Sequence, residues 1–241
     1  MVKEKSELIN KLNYKDIIII LGLWYLMAIL HLILKEITFQ SFLLSELFHF
    51  LFILSGRLIY LAVVIFYLTY FYPVGFPELG FNFSYLKQQL LTGLSLLIFL
   101  FSIVLLLVNI PLSYSMPEQF SPLFYLLTPE DFIHSLLPLF LIFLTCIIIS
   151  LSEQFLLNKI IYELFHFTIF NRFMSRLLAA LVYSVLLFDF SPPRIMINLL
   201  IASIAIILYL RYNSLLVSSL FMGGYYALYI VYIYGWDLIK Y

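Results

Sequence analysis

Long apolar runs, separated by short stretches of charged residues, proline or glycine, set the pattern of this chain. A helix that crosses a bilayer needs about 20 mostly apolar residues, and seven segments approach that length. Residues 17–34 form the first, closed by Lys35 and Glu36. Residues 44–72 form the second, long enough to tilt, and end at Pro73-Val74-Gly75-Phe76-Pro77. The third, 86–110, stops before Pro111. Residues 112–131 carry Pro117, Pro122, Pro129, Glu118, Glu130 and Asp131 and read as a loop. Residues 132–151, 174–188, 194–210 and 214–234 complete the set. Pro192-Pro193 and Tyr212-Asn213 leave two very short turns, so the last three helices should be antiparallel neighbours.

Residues 153–170 are the ambiguous piece. They continue the fourth run without a breaker but mix Asn158, Lys159, Glu163 and His166 with large apolar residues. The pattern suits an amphipathic interfacial helix or a segment dipping into the bundle, and the lack of Gly or Pro favours one long, bent helix. An eighth span results if this segment also crosses.

Composition then fixes the solvent. Of 241 residues, 64% are hydrophobic and 11% are Asp, Glu, Lys or Arg, against about 25% charged in a soluble domain. A soluble enzyme, a nucleic-acid binder and a disulfide scaffold are excluded, and the lipid bilayer is the main partner. The predicted fold is all-α: a polytopic transmembrane helix bundle of about seven spans, a single integral-membrane domain over 1–241. Thirteen basic residues balance thirteen acidic ones, and Cys146 has no second cysteine to pair with.

Lys and Arg in short loops set orientation. With the N-terminus inside, the inner segments hold Lys3, Lys5, Lys11, Lys15, Lys87, Lys159, Arg172, Arg176 and Arg211, and the outer ones Lys35, Arg194 and Lys240. That nine-to-three bias makes 1–16 a cytoplasmic segment with a retained first helix and puts the acidic 112–131 loop outside. An eighth span would reduce the bias to seven against four.

Ionisable groups within spans are costly and are paired or functional. Arg57, beside Ser55 and Gly56, is the most central; it either holds a ligand's charge or pairs with an acid in the bundle. Glu46-Leu47-Phe48-His49-Phe50 recurs as Glu163-Leu164-Phe165-His166-Phe167. Two Glu-x-x-His motifs are half of a di-iron carboxylate site; Glu153 could be one of the two further carboxylates, but no span supplies the other, and the two copies fall at opposite surfaces. No metal and no cofactor are expected. Ser218, Ser219, Gly223 and Gly224 read as a small-residue packing face.

From residue 76 onward the order of features resembles the CAAX protease and bacteriocin-processing (CPBP, or ABI) family of intramembrane endopeptidases. Pro77-Glu78-Leu79-Gly80-Phe81 stands where the family has its Leu-Gly-Phe segment. Ser152-Glu153-Gln154-Phe155-Leu156-Leu157-Asn158 is similar to its Glu-Glu-x-x-x-Arg motif. Leu186-Leu187-Phe188-Asp189-Phe190 resembles its Phe-x-x-x-His segment, Leu210-Arg211-Tyr212-Asn213-Ser214-Leu215 its turn, and Met222-Gly223-Gly224-Tyr225-Tyr226 its His-x-x-x-Asn. The resemblance makes 76–241 the family core and Glu153 the catalytic position. The neighbouring motif positions, as binding candidates, are Gln154, Asn158 and Tyr226, together with Arg57. Only Glu153 keeps the family residue; Gln154, Asn158, Phe190, Met222 and Tyr226 replace a Glu, an Arg, two His and an Asn. The resemblance therefore implies a catalytically inactive relative that binds or scaffolds a hydrophobic or membrane-protein partner. Two other readings stand beside it: an active endopeptidase with rearranged residues, such as Glu153 with His166 or Asp189, and a subunit or transport component of an unrelated membrane complex.

Overall fold

The computed structural model describes residues 8, 11–37, 42–109, 129–169, 171–186 and 192–234. Their regular structure is entirely helical, with no strand among the described residues. Helix α1 spans Tyr14–Ile37, α2 Phe42–Phe71 and α3 Leu86–Asn109. Helix α4, Pro129–Gln154, runs without interruption through a π-helical stretch, Phe155–Tyr162, into α5, Glu163–Ile169. Helices α6, Arg172–Leu186, α7, Pro192–Tyr212, and α8, Leu215–Tyr234, follow. Three of these rods are long and apolar enough to cross a membrane, over Ile53–Phe71, Phe140–Ile169 and Ile195–Tyr212.

Local chemistry explains the helix ends. Asn13 precedes α1, and its backbone N–H is accepted by Asp16 Oδ2 at 2.7 Å, while its own carbonyl receives the Asp16 and Ile17 amides. This is the carboxylate half of a capping box. Pro192-Pro193 was expected in a turn, yet α7 begins at Pro192. Proline's fixed φ and missing donor suit the first turn of a helix, where the N–H has no partner. Likewise α4 already starts at Pro129, so the end of the expected 112–131 loop is helical; its residues 112–128 lie outside the described residues. Between α7 and α8 the chain reverses at Asn213, whose φ is 47°, the left-handed conformation asparagine tolerates.

Residues 153–163 of the 153–170 segment lie in the core, whereas 167–169 are exposed. Every residue from Phe155 to Tyr162 is buried, Asn158 and Lys159 included, so the stretch has no solvent-facing polar side of its own. A π-helix widens the turn and is frequent at functional sites. Here it packs against α6 and α7. The last three helices are sequential neighbours, α6 against α7 and α7 against α8, and α8 also lies along α4 and α3.

Close approach of α8 depends on its small residues. A Cβ on Gly223 would stand 2.5 Å from Ile147 Cα, and one on Gly224 would meet Leu97 at 2.5 Å. Ser218 and Ser219 are buried on the same helix. At one end of the bundle, Gly80, with φ 91°, accepts the Leu215 amide at 2.8 Å, and Ser214 Oγ donates to the Asn82 carbonyl at 3.0 Å. The 75–84 loop is thereby pinned to the start of α8. Its Gly80 is required twice over, since a Cβ there would meet Leu215 Cγ at 2.8 Å.

Candidate functional site

Glu153 sits on the last turn of α4, 4% exposed. A carboxylate buried this deeply in an apolar bundle must find donors or a counter-ion, and it finds both. Its Oε2 accepts the hydroxyls of Tyr183 from α6 at 2.6 Å and of Tyr226 from α8 at 2.7 Å. Those two hydroxyls are 3.1 Å apart. Its Oε1 faces Arg57 Nη2 of α2 at 3.9 Å, a charge contact longer than a hydrogen bond. The Arg57 guanidinium lies 3.5 Å from the centroid of the Trp24 ring of α1. Trp24 in turn meets Tyr60 edge-on at 5.2 Å. One carboxylate therefore ties α4 to α2, α6 and α8, and through Arg57 to α1.

The next turn extends the polar core. Asn158 Nδ2 donates to Gln154 Oε1 at 2.8 Å, and Gln154 Nε2 donates to the sulfur of Met222. Below it, Lys159 Nζ pairs with Glu163 Oε1 at 2.9 Å, and Tyr209 Oη donates to the same oxygen at 2.7 Å. Both carboxylates follow one scheme: each lies on the central rod with a cation beside it and accepts tyrosine hydroxyls from facing helices, two at Glu153 and one at Glu163. Charge-assisted bonds of this kind are about twice as strong as neutral ones.

All five residues singled out by sequence are thus in one region. Glu153, Arg57 and Tyr226 touch directly, and Gln154 and Asn158 form the adjoining chain of amides. His166 is not brought to Glu153; its ring stacks on Tyr162 at 5.7 Å, beyond Lys159 along the rod. Asp189 and Phe190 lie outside the described residues, as do the side chains of Glu46 and His49. Glu163, the acid of the second Glu-x-x-His, pairs with Lys159 and accepts the Tyr209 hydroxyl. Among the described residues no three His, Cys, Asp or Glu side chains gather as a metal site.

Tyr183, Trp24 and Tyr60 have no counterpart in the sequence reading. Tyr183 carries a faint signal, because it lies on the buried face of α6 with Ala179, Ala180 and Ser184. Among 19 tyrosines that face does not single it out.

Chemically, the arrangement engages the carboxylate instead of presenting it. An ionised carboxylate offers about four acceptor sites. Two on Oε2 are filled by tyrosine hydroxyls and Oε1 is directed at Arg57. A general base needs a lone pair aimed at the proton it removes, and stabilising donors must point at a substrate oxygen. Here two hydroxyl donors point at Glu153 itself, and the Arg57 charge faces its other oxygen. No family model, no curated protein and no solved structure matches the chain.

Proposed function

We propose that this chain is a multi-pass integral membrane protein, its N-terminus cytoplasmic, built on a CPBP-like seven-span core. In this reading it has no peptidase activity and binds or scaffolds the hydrophobic segment of a membrane-protein partner. The observation that carries the reading is the engagement of both Glu153 oxygens by Tyr183, Tyr226 and Arg57. In the family's motif the matching carboxylate would activate water; here the group that would do so is engaged in holding four helices together. Met222, at one of the family's histidine positions, accepts a bond from Gln154 and offers no base. An apolar cavity of about 180 Å³ between α1, the π-helical stretch and α6, lined by Leu21, Ile161, Phe165, Val182 and Leu186 among others, supports the binding half. It is large enough for an apolar side chain of a partner helix.

The experiment has two arms. Wild type and Glu153→Gln are incubated with prenylated and unprenylated membrane peptides, in detergent and in liposomes. Neither should cleave, and cleavage by wild type that vanishes in the variant overturns the inactive reading. In the second arm a photo-crosslinking residue at Leu21 should give one discrete adduct in membranes, lost when Val182→Trp fills the cavity. A crosslinking pattern indifferent to Val182→Trp overturns the binding site.

A further inference from the structure

The turn between α5 and α6 gathers polar groups that the Glu153 centre does not use. Arg172 and Arg176 stand one turn apart at the start of α6, with Arg176 Nε donating to the Arg172 carbonyl at 3.1 Å. Among the described residues no carboxylate pairs with either. Glu163, the nearest acid along the chain, is committed to Lys159 and Tyr209. The first amides of α6 are also committed, since Asn171 Oδ1 accepts those of Phe173 and Met174 at 3.0 and 3.2 Å. What remains is a pair of side-chain cations without an anion.

On the two elements that precede and pack against α6 are two orphaned groups. Tyr162 is 2% exposed, and its hydroxyl has no hydrogen-bond partner; neither has Nδ1 of His166, stacked on the same ring. Tyr162 ends the π-helical stretch against which α6 packs. Buried hydroxyls without partners are rare, and each calls for an explanation. Two cations on α6 and two polar groups without partners thus lie on elements packed against one another, and the described residues supply no acceptor for them. Phe167, Phe173 and Met174 are exposed around the same turn. Cations among exposed aromatic and aliphatic side chains mark the interfacial depth of a bilayer.

We propose that the α5–α6 turn is a headgroup site for an anionic phospholipid, its phosphate held by Arg172 and Arg176 with Tyr162 and His166 as deeper hydrogen-bond partners. A phosphate supplies the missing anion and several acceptor oxygens together, and the guanidinium fork matches its geometry. Phe167, Phe173 and Met174 hold the turn at the depth where such a phosphate lies. The site stands whether or not the Glu153 centre is catalytic.

The test uses the full-length protein in detergent, mixed with equimolar phosphatidylglycerol and phosphatidylcholine of the same acyl chains and read by native mass spectrometry. Two interfacial cations, at about 1 kcal/mol each, correspond to about a thirtyfold preference for the anionic lipid. Arg172→Gln/Arg176→Gln should reduce it to near parity, and Tyr162→Phe should reduce it severalfold with the elution profile unchanged. Arg211→Gln, a basic residue elsewhere on the surface, should leave it intact. Equal retention of both lipids by wild type overturns the site, as does a preference that survives the double substitution or falls equally with Arg211→Gln. Full displacement by inorganic phosphate would identify a free phosphate, not a lipid, as the ligand. If the double variant fails to fold, Arg172→Lys/Arg176→Lys keeps the charge and loses the fork; an undiminished preference there, together with one undiminished in Tyr162→Phe, overturns the proposal.

Discussion

Tyr183 and Tyr226 reach the same carboxylate oxygen from two different helices, and their hydroxyls stand 3.1 Å apart beside it. Each is a redundant support for the other. With one hydroxyl gone, Glu153 Oε2 keeps a donor; with both gone, a buried carboxylate is left with a 3.9 Å contact to Arg57.

Tyr183→Phe and Tyr226→Phe should each cost about 1.5–3 kcal/mol, the range for a hydrogen bond to a charged group. The double variant should cost more than the sum, by a coupling of about 0.5–3 kcal/mol. Unfolding free energies of the four proteins in mixed detergent give the cycle directly. Strict additivity would show that the two hydroxyls do not share the load.

The rods were legible in the sequence because hydrophobic length is a strong signal, but their ends were not: α1 runs through Lys35 and Glu36 to Ile37, and α4 and α7 begin on Pro129 and Pro192 rather than after them. Nor was the Glu153–Arg57 contact. Arg57 was visible as an ion in an apolar run that needed an acid, yet spacing along the chain does not say which acid lies opposite on another helix. Lys159 shows the same limit. It counts as a loop cation in the sequence, whereas the structure buries it against Glu163. The π-helical stretch left no mark at all, since Phe155–Tyr162 reads as ordinary helix in the sequence.

Gly223 and Gly22 form a matched pair for testing the α4–α8 contact. A Cβ at Gly223 would sit 2.5 Å from Ile147 Cα and 2.8 Å from the Cys146 carbonyl oxygen, both backbone atoms that cannot rotate away. Gly223→Ala should therefore destabilise by about 1–3 kcal/mol, the usual cost of overpacking, or more if the helices separate. At Gly22 a Cβ would meet nothing within 4 Å, so Gly22→Ala should be neutral or stabilise by about 0.5–1 kcal/mol through helix propensity. Thermal midpoints of the two variants should move in opposite directions or differ by several degrees; equal shifts would show that α8 does not depend on close approach.

Asp16 supplies a pH-dependent clasp at the start of α1. Burial alone would raise its carboxyl, but hydrogen bonds from Tyr67, Tyr72 and the Asn13 amide outweigh it and hold the group below the ordinary aspartate value. A lowered folded-state value means that the ionised form stabilises the fold. That contribution is complete above the unfolded-state value and is lost as pH falls through the folded one. Wild type should lose stability relative to Asp16→Asn on acidification below about pH 4, near the unfolded aspartate value, and the gap between them should be constant from about pH 6 to 8. A gap that instead widens on acidification would contradict the sign of the shift.

Three segments far apart in the chain meet at one end of the bundle, which makes sidedness measurable. Asp16 at the start of α1 bonds to Tyr67 and Tyr72 at the end of α2, and Lys11 pairs with Glu78 at 3.8 Å. The 75–84 loop is pinned to the start of α8 through Gly80 and Asn82. The N-terminal end of α1, the α2–α3 loop and the α7–α8 turn therefore lie together. Buried Lys159 has no vote in a loop-charge rule, and without it the distribution is still eight against three. Cysteines introduced at Phe83, which is exposed, and at Asn171 should be protected from an impermeant maleimide in intact cells and labelled after permeabilisation. A cysteine at Ser121, within the acidic 112–131 segment, should be labelled without permeabilisation. Native Cys146 is 1% exposed and should stay silent, so no cysteine-less background is needed. Labelling of Phe83→Cys and Ser121→Cys from the same side would sink the seven-span arrangement, because the third helix would then fail to cross.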